Sequence, residues 1–316
     1  MEKDYDIVAV GMMAYDMILR EVDESLFTRD ATLLKDMGIS SGGGAMTQAV
    51  IAKRLGCRVA LCSRVGDDTY GKYLMEVLHS EGIEDTWVHV AEKEATMVTI
   101  ALVKPDGSRN FLTREGDNIH NFTLRDVDPQ VLKNTRMVSY GSFYFLPGLD
   151  GKGEEMIFRT AKDAGAMVTA DTASDAFGKG RELVFRNLQF IDYFVPSYEE
   201  AAYLAETMDV HKMAHTFLDK GAKRVLIKMG EQGCYLAEQG YEEQIPAFYQ
   251  EYVCDTAGAG DNFTGAFMAA VLQGMDFQKS ALFANAAAAV SVTGTGAVSA
   301  LKNRQQVLGL LHRKGL

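Results

Sequence analysis

The stretch CDTAGAGDNFTGAF, residues 254–267, joins a turn of small residues to a carboxylate and then to an apolar pattern of helical spacing. Residues 264–272 read as a helix, with Ala259 to Asp261 at its entry. The first turn of a helix exposes unpaired N–H groups and a partial positive charge. Gly258 and Gly260 let the backbone come close to a ligand, so Gly258, Ala259 and Gly260 form an anion hole suited to a phosphate or to the charge developing during its transfer. Asp261 beside that hole would repel a resting phosphate. It is better placed to take the proton of an attacking hydroxyl while the N–H groups hold the group under attack. An Asp that only caps a Gly-rich turn accounts for the same window, and from these residues alone both readings stand.

The elements that must position this motif follow from periodicity. Short β-branched or apolar runs at Ile7–Val10, Val59–Cys62, Met137–Tyr140, Met167–Ala170, Tyr193–Val195 and Val225–Ile227 predict strands. Ala45–Leu55, Tyr70–His79, Glu154–Ala164 and Glu199–Glu206 predict helices between them. That alternation predicts an α/β fold with a mostly parallel sheet covered on both faces. Gly11, Gly66, Gly141 and Gly230 punctuate the strand ends, where open α/β sheets bind ligands. Residues 13–40 show no helical pattern, and 95–114 read as a hairpin around Pro105-Asp106-Gly107. We expect these two stretches to form a small β-sheet lid that excludes water, or else an edge hairpin without function. Arg109 and Arg114 on that hairpin would reach an acidic acceptor, or form a solvated face. Lys228 near a strand end would meet nucleotide phosphates or cap the strand. Asp171 closes a core strand and would assist a metal or acceptor, or cap a turn.

Composition narrows the classes. The chain has 316 residues, 47% hydrophobic and 24% charged, with a net charge of −11. That charge argues against nucleic acid as a partner, though not against a nucleotide held by backbone N–H groups. No apolar run reaches the ~20 residues that cross a bilayer, so no membrane partner is expected. The N-terminal MEKDYDIVAVG is too acidic and too short in apolar residues for a signal peptide. Cys57, Cys62, Cys234 and Cys254 show no disulfide or zinc spacing and read as reduced thiols of a cytoplasmic protein. The histidines at 79, 89, 120, 211, 215 and 312 read as scattered, with no pair suggesting a metal site.

DTAGAGDNFTGAF resembles the signature of the ribokinase-like (PfkB-type) carbohydrate kinases, D-T-x-G-A-G-D-x-F. Other stretches are similar to that family in the same order: VAVGMMAYDMI (8–18), GGGAMTQAVIAKRLG (42–56), GDDTYGKYL (66–74), VPSYEEA (195–201), IKMGEQGC (227–234) and FANAAAAVSVTGTGA (283–297). The resemblance spans essentially the whole chain. It implies a ribokinase-like three-layer sandwich forming a single domain over 1–316, with lid strands at about 13–40 and 95–114 inserted in it. It also implies ATP-dependent phosphorylation of a hydroxyl of a small sugar or sugar acid, with Mg2+ and room for a monovalent cation such as K+. Asp261 would be the base, with Gly258, Ala259 and Gly260 as the anion hole. Asp16, Gly42 and Gly43 would bind the acceptor, as would Thr47. Glu200 would organise the metal, and Ser197, Lys228, Gly230, Gly233 and Asn285 would lie along the nucleotide.

Two departures mark this chain. Thr47 stands where the family usually has Asn, offering one hydroxyl in place of a carbonyl and an amide. Ser197 likewise replaces the Asn of the N-x-x-E element. Neither touches the base or the anion hole, so phosphoryl transfer is expected with an unusual acceptor. A nucleoside kinase of the same fold is the main alternative. A non-catalytic sugar- or nucleotide-sensing relative is the other, and an intact Asp261 weighs against it. A homodimer through the lid is expected from the resemblance.

Overall fold

Alternation along the strands decides the architecture. In β1 (Tyr5–Gly11), Ile7 and Ala9 enter one apolar cluster while Val8 and Val10 enter another, so this sheet needs cover on both faces. The computed structural model describes residues 3–34, 36–105 and 109–315. After β1 come β2 (Ala14–Arg20), β3 (Met37–Gly42), α1 (Gly44–Arg54), β4 (Val59–Gly66), α2 (Thr69–Glu81), β5 (Val88–Ala91), β6 (Val98–Val103) and β7 (Arg109–Arg114). Two short helices, α3 (Asp117–Asn121) and α4 (Pro129–Lys133), lead to β8 (Thr135–Phe143), α5 (Lys152–Asp163), β9 (Met167–Thr172), α6 (Glu182–Phe185) and β10 (Tyr193–Phe194). The chain continues through α7 (Tyr198–Ala205), α8 (Val210–Asp219), β11 (Arg224–Lys228), β12 (Cys234–Glu238) and β13 (Tyr241–Ile245). It closes with α9 (Ala259–Leu272), α10 (Phe277–Ser291) and α11 (Arg304–Arg313).

The main sheet has nine strands in the order β13-β12-β11-β10-β9-β8-β1-β4-β5. Neighbours from β11 to β5 are parallel, and only the β11–β12 and β12–β13 pairings are antiparallel. Apolar side chains of α1, α2, α9, α10 and α11 pack on one face, and those of α4 to α8 on the other. This is the α/β three-layer sandwich that the βα alternation predicts, and each predicted strand and helix has a counterpart at its place in the chain. The β12–β13 hairpin at one edge has no counterpart in that expectation.

The two stretches that break the βα rhythm build a second sheet, β3-β2-β6-β7. Here β6 and β7 pair antiparallel, and β2 runs parallel to β6. Asp106 and Gly107 of the predicted turn lie outside the described residues. Register places Ile39, Met17, Ile100 and Leu112 in one row across this sheet, with Ile39 and Leu112 each about half exposed. Among the described residues no helix is long and apolar enough to cross a membrane, and all four cysteines are free thiols.

Candidate active site

A cleft of about 1500 Å³ opens where the carboxyl ends of the parallel strands meet the first turn of α9 and the smaller sheet. Gly258 is the N-cap of α9 with φ +71°, a left-handed conformation, and a Cβ there would lie 2.5 Å from the Cβ of Ala297. Only glycine fits on both counts. Asp255, the first acid of the motif, is buried and holds the loop in shape. Its carboxylate accepts from the N–H groups of Ala257 (2.8 Å) and Gly296 (2.9 Å). Asn262 fastens the other side by donating to the carbonyls of Gly258 (2.8 Å) and Ala297 (2.7 Å). The N–H of Ala259 donates to the Thr256 carbonyl at 3.2 Å, whereas among the described residues no backbone acceptor takes the N–H of Gly258, Gly260 or Asp261. These last three are the orphan donors that a helix start offers to an anion.

Asp261 lines the cleft within this first turn. Its partner comes from α1, because α1 and α9 pack closely: a Cβ on Gly265 would lie 2.8 Å from the carbonyl of Gln48. One turn back, Gln48 Nε2 donates to Asp261 Oδ1 at 3.0 Å, and Gln48 Oε1 accepts from Ser139 Oγ at 2.7 Å. Gln48 is fully buried, so Ser139 fixes the amide orientation and the amide fixes the carboxylate. Burial raises the Asp261 pKa to about 6, helped by the charge of Asp171 and opposed by Lys228 and the Gln48 hydrogen bond. Gln48→Leu removes one of the two restraints. The acid limb of the pH–rate profile should then move upward; because wild type is itself only half ionised at pH 6, a shift of about one pKa step lowers kcat there by about fivefold. Little loss is expected at pH 8, and profiles of the two proteins check this.

Lys228 is the cation of this cluster. Its Nζ pairs with Asp171 Oδ2 at 2.6 Å and would lie 3.4 Å from a Cβ built on Gly260, so the ammonium sits at the mouth of the anion hole. Burial favours losing its proton, but the charges of Asp171 and Glu200, the Asp171 hydrogen bond and Asp261 outweigh that and raise its pKa. Thr264 Oγ1 also donates to Asp171 Oδ2 (3.1 Å), and Asp171 Oδ1 accepts from the N–H of Thr172. Asp171 therefore both lines the cleft and ties its own strand end.

Glu200 and Ser197 form a reciprocal cap at the start of α7: the Ser197 N–H donates to Glu200 Oε2 (2.8 Å), and the Glu200 N–H donates to Ser197 Oγ (3.3 Å). Thr172 Oγ1 adds a third bond, to Glu200 Oε2 at 2.9 Å. Burial, then repulsion from Asp171, raises the Glu200 pKa against Lys228 and these hydrogen bonds. Gly230, Gly233 and Asn285 line the same end of the cleft. Asn285 Nδ2 faces the carbonyls of Ile245 (3.3 Å) and Pro246 (3.4 Å), holding the segment after β13.

At the opposite end stand Asp16 on β2 and Gly43 ahead of α1. Gly42 lies against Asp16, since a Cβ there would meet Asp16 Oδ2 at 2.0 Å. Burial, then the charges of Asp261 and Asp255, raises the Asp16 pKa to about 7. Two residues expected on this side lie apart from the cleft. Thr47 is buried within α1, and its hydroxyl has no hydrogen-bond partner among the described residues. Arg114 lies on the same face of β7 as Leu112, opposite Phe111, which lines the cleft. It borders a separate shallow depression with Asp67, Asp68 and Asp117. Arg109 opens β7, and its side chain lies outside the described residues.

Sequence reasoning passed over Gln48 beside Thr47, and gave Asp255 and Asn262 no role although both fall inside the motif. It also read the histidines as scattered. His211 and His215 in fact stand together on α8, one turn apart, facing Glu242 of β13.

Comparison with known proteins adds a separate line of support. A family model described as pfkB family carbohydrate kinase matches residues 4–304. The ribokinase of Haemophilus influenzae is 30% identical over 281 residues, spanning 87% of this chain and 88% of that protein. Fructokinase-1 of Zea mays is 26% identical over 321 residues, spanning 97% and 98%. The solved structure of Arabidopsis thaliana ribokinase complexed with ribose and ATP matches with a TM-score of 0.82 at 25% identity, covering 98% of this chain and 99% of that one.

Proposed function

Because the chain belongs to the pfkB family of carbohydrate kinases, we propose that it transfers the γ-phosphoryl group of ATP to a hydroxyl of a small sugar or sugar acid, with Asp261 as the base. One observation carries this reading: the Asp261 carboxylate and the orphan N–H groups of the α9 start share one cleft, with the Lys228 ammonium beside Gly260. The acceptor proton passes to Asp261, the acceptor oxygen takes the phosphoryl group, and ADP leaves. The N–H groups of Gly258, Gly260 and Asp261, with Lys228, take up the charge on the migrating oxygens. A base with a pKa of about 6 is ionised at neutral pH yet still holds a proton well enough to accept one in the transition state.

Asp16, with the backbone at Gly42 and Gly43, would hold acceptor hydroxyls under the smaller sheet acting as a lid. Ser197, Gly230, Gly233 and Asn285 would line the nucleotide. ATP as donor is supported by the Arabidopsis ribokinase, whose structure carries ribose and ATP. The residues present fit Mg2+: Glu200 and Asp171 offer carboxylate oxygens in the cleft, the hard donors this cation takes, and their mutual repulsion is what a dication would relieve. When bound, Mg2+ supplies neutralisation of the phosphate oxygens. The apolar row Ile39, Met17, Ile100 and Leu112 on the smaller sheet supports a homodimer through that face; a monomer mass in light scattering would remove that part of the proposal.

The deciding experiment is an ADP-release screen across ketohexoses, aldopentoses, ketodeoxy acids and nucleosides. Turnover with a sugar or sugar acid is the expected result. Turnover confined to nucleosides would replace the acceptor class, and ATP binding without turnover on any acceptor would leave a sensor in place of an enzyme.

A further inference from the structure

His211 and His215 sit at i and i+4 on α8, so both imidazoles project from one face of the helix. Their rings stack with centroids 4.3 Å apart. Both Nε2 atoms converge on Glu242 of β13, His215 at 2.5 Å from Oε1 and His211 at 3.3 Å from Oε2. The Tyr235 hydroxyl of β12 donates to Glu242 Oε2 and orients the carboxylate from behind. That hydrogen bond, against a small effect of burial and together with the His215 contact, holds the Glu242 carboxyl below its ordinary pKa. The ligand atoms of all three residues lie within 4.8 Å of one another.

We propose that His211, His215 and Glu242 form a surface site for a divalent transition metal of the zinc class, bridging α8 to the edge strand β13. Two imidazoles one helical turn apart plus one carboxylate are a donor set that Zn2+ takes with a water in the fourth position. Imidazole nitrogen favours zinc, nickel or copper over Mg2+, so this site is distinct in chemistry from the oxygen-lined cleft. Ligands of a tetrahedral zinc stand roughly 3.4 Å apart, given bond lengths of about 2.1 Å; the His211–Glu242 contact of 3.3 Å already has that spacing, and the 2.5 Å His215–Glu242 contact must open for a cation to enter. Tyr235 then acts as the outer partner that such ligands use to hold their orientation. The site is not remote from the cleft wall. Val210, next to His211, and Gln244, two residues beyond Glu242 on the same strand, both line the cleft. A bound cation would tie together these two parts of its wall.

The test uses the full chain stripped with a chelator and titrated with Zn2+ by calorimetry, and with Co2+ followed by visible absorption. One equivalent should bind, with nitrogen and oxygen ligation and no thiolate charge-transfer band. Zn2+ should raise the melting temperature of the wild-type protein, as any ligand specific to the folded state does. His211→Ala/His215→Ala should abolish that rise, and Tyr235→Phe should weaken Zn2+ binding by about 10- to 100-fold, the range seen for outer-shell partners. The His211 side chain is 61% exposed and that of His215 45%, and surface ion pairs contribute at most about 1 kcal/mol each, so the double variant should melt close to wild type when no metal is present. That comparison shows the variant is folded. Equal Zn2+ affinity in the double variant, a thiolate band with Co2+, or no binding by wild type would each overturn the site. None of these outcomes depends on the acceptor screen, so kinase function and metal binding stand or fall separately.

Discussion

Asp261→Asn is expected to lower kcat by about 10²- to 10⁴-fold, the contribution of a positioned general base, while nucleotide binding stays close to wild type. The amide keeps the volume of the carboxylate and an oxygen for Gln48 Nε2, so the cleft is preserved and only proton acceptance is lost. Steady-state kinetics with the best acceptor from the screen, and ATP titration followed by calorimetry, separate the two effects. In wild type, activity should rise as pH climbs through about 6, and in the variant this limb should vanish from the residual rate. A variant with wild-type turnover would remove Asp261 from the chemistry. Stability should move the other way. Asp261 has a folded pKa of about 6, above its ordinary value of 3.8, so the native state binds more protons than the unfolded chain between those values. Stability from this group therefore falls as pH rises from about 4 to 6 and stays reduced above. Asp261→Asn should consequently melt higher than wild type at pH 8, with the difference shrinking towards pH 4. Equal melting temperatures at pH 8 would show that the carboxylate is better solvated than its burial implies.

Lys228→Met is the second large effect. Methionine fills the space but removes the cation that faces Asp171, Glu200 and Asp261 together. Loss of a donor aimed at developing charge costs about 10²- to 10³-fold in kcat, and the nucleotide KM should rise with it. Because Lys228 also depresses the pKa of Asp261, the acid limb of the remaining activity should move above pH 6. Removing one partner of a buried ion pair costs about 3–5 kcal/mol, so the variant should also melt lower at pH 8. The double variant Lys228→Met/Asp171→Asn separates the two consequences: it should regain much of the stability and none of the rate. Recovery of rate in the double variant would mean that Lys228 serves only to neutralise Asp171.

How far the sequence could be read depended on whether a feature was local. Strand runs such as Ile7–Val10 and Val225–Ile227 are buried on both faces, and continuous apolar character marks them without any tertiary knowledge. The start of α9 was equally legible, because small residues, one acid and a helical pattern lie within fourteen positions. Gln48 was not legible. Its role depends on α1 and α9 approaching at Gly265, and its contact to Asp261 spans 213 positions. Thr47 looked the more informative neighbour because it departs from the family pattern, yet helix phase turns it into the interior. Arg114 was misplaced for a similar reason: strand alternation puts it on the face opposite the cleft, and only the register with β6 reveals which face that is. The His211–His215 spacing was visible as i, i+4, but the third ligand comes from an edge hairpin that the βα alternation did not anticipate.

Six carboxylates, those of Asp16, Asp171, Glu199, Glu200, Glu231 and Asp261, line one cleft, and this crowding bears on what happens after the chemistry. On the proposed reading, a neutral sugar would enter such a place with little electrostatic opposition. The ester it becomes carries roughly −1.5 to −2 charge at neutral pH, and once ADP has departed it faces those acids with Lys228 already engaged by Asp171. Repulsion then drives the finished molecule outward, so departure of the phosphorylated sugar should be fast and its inhibition of the next cycle weak.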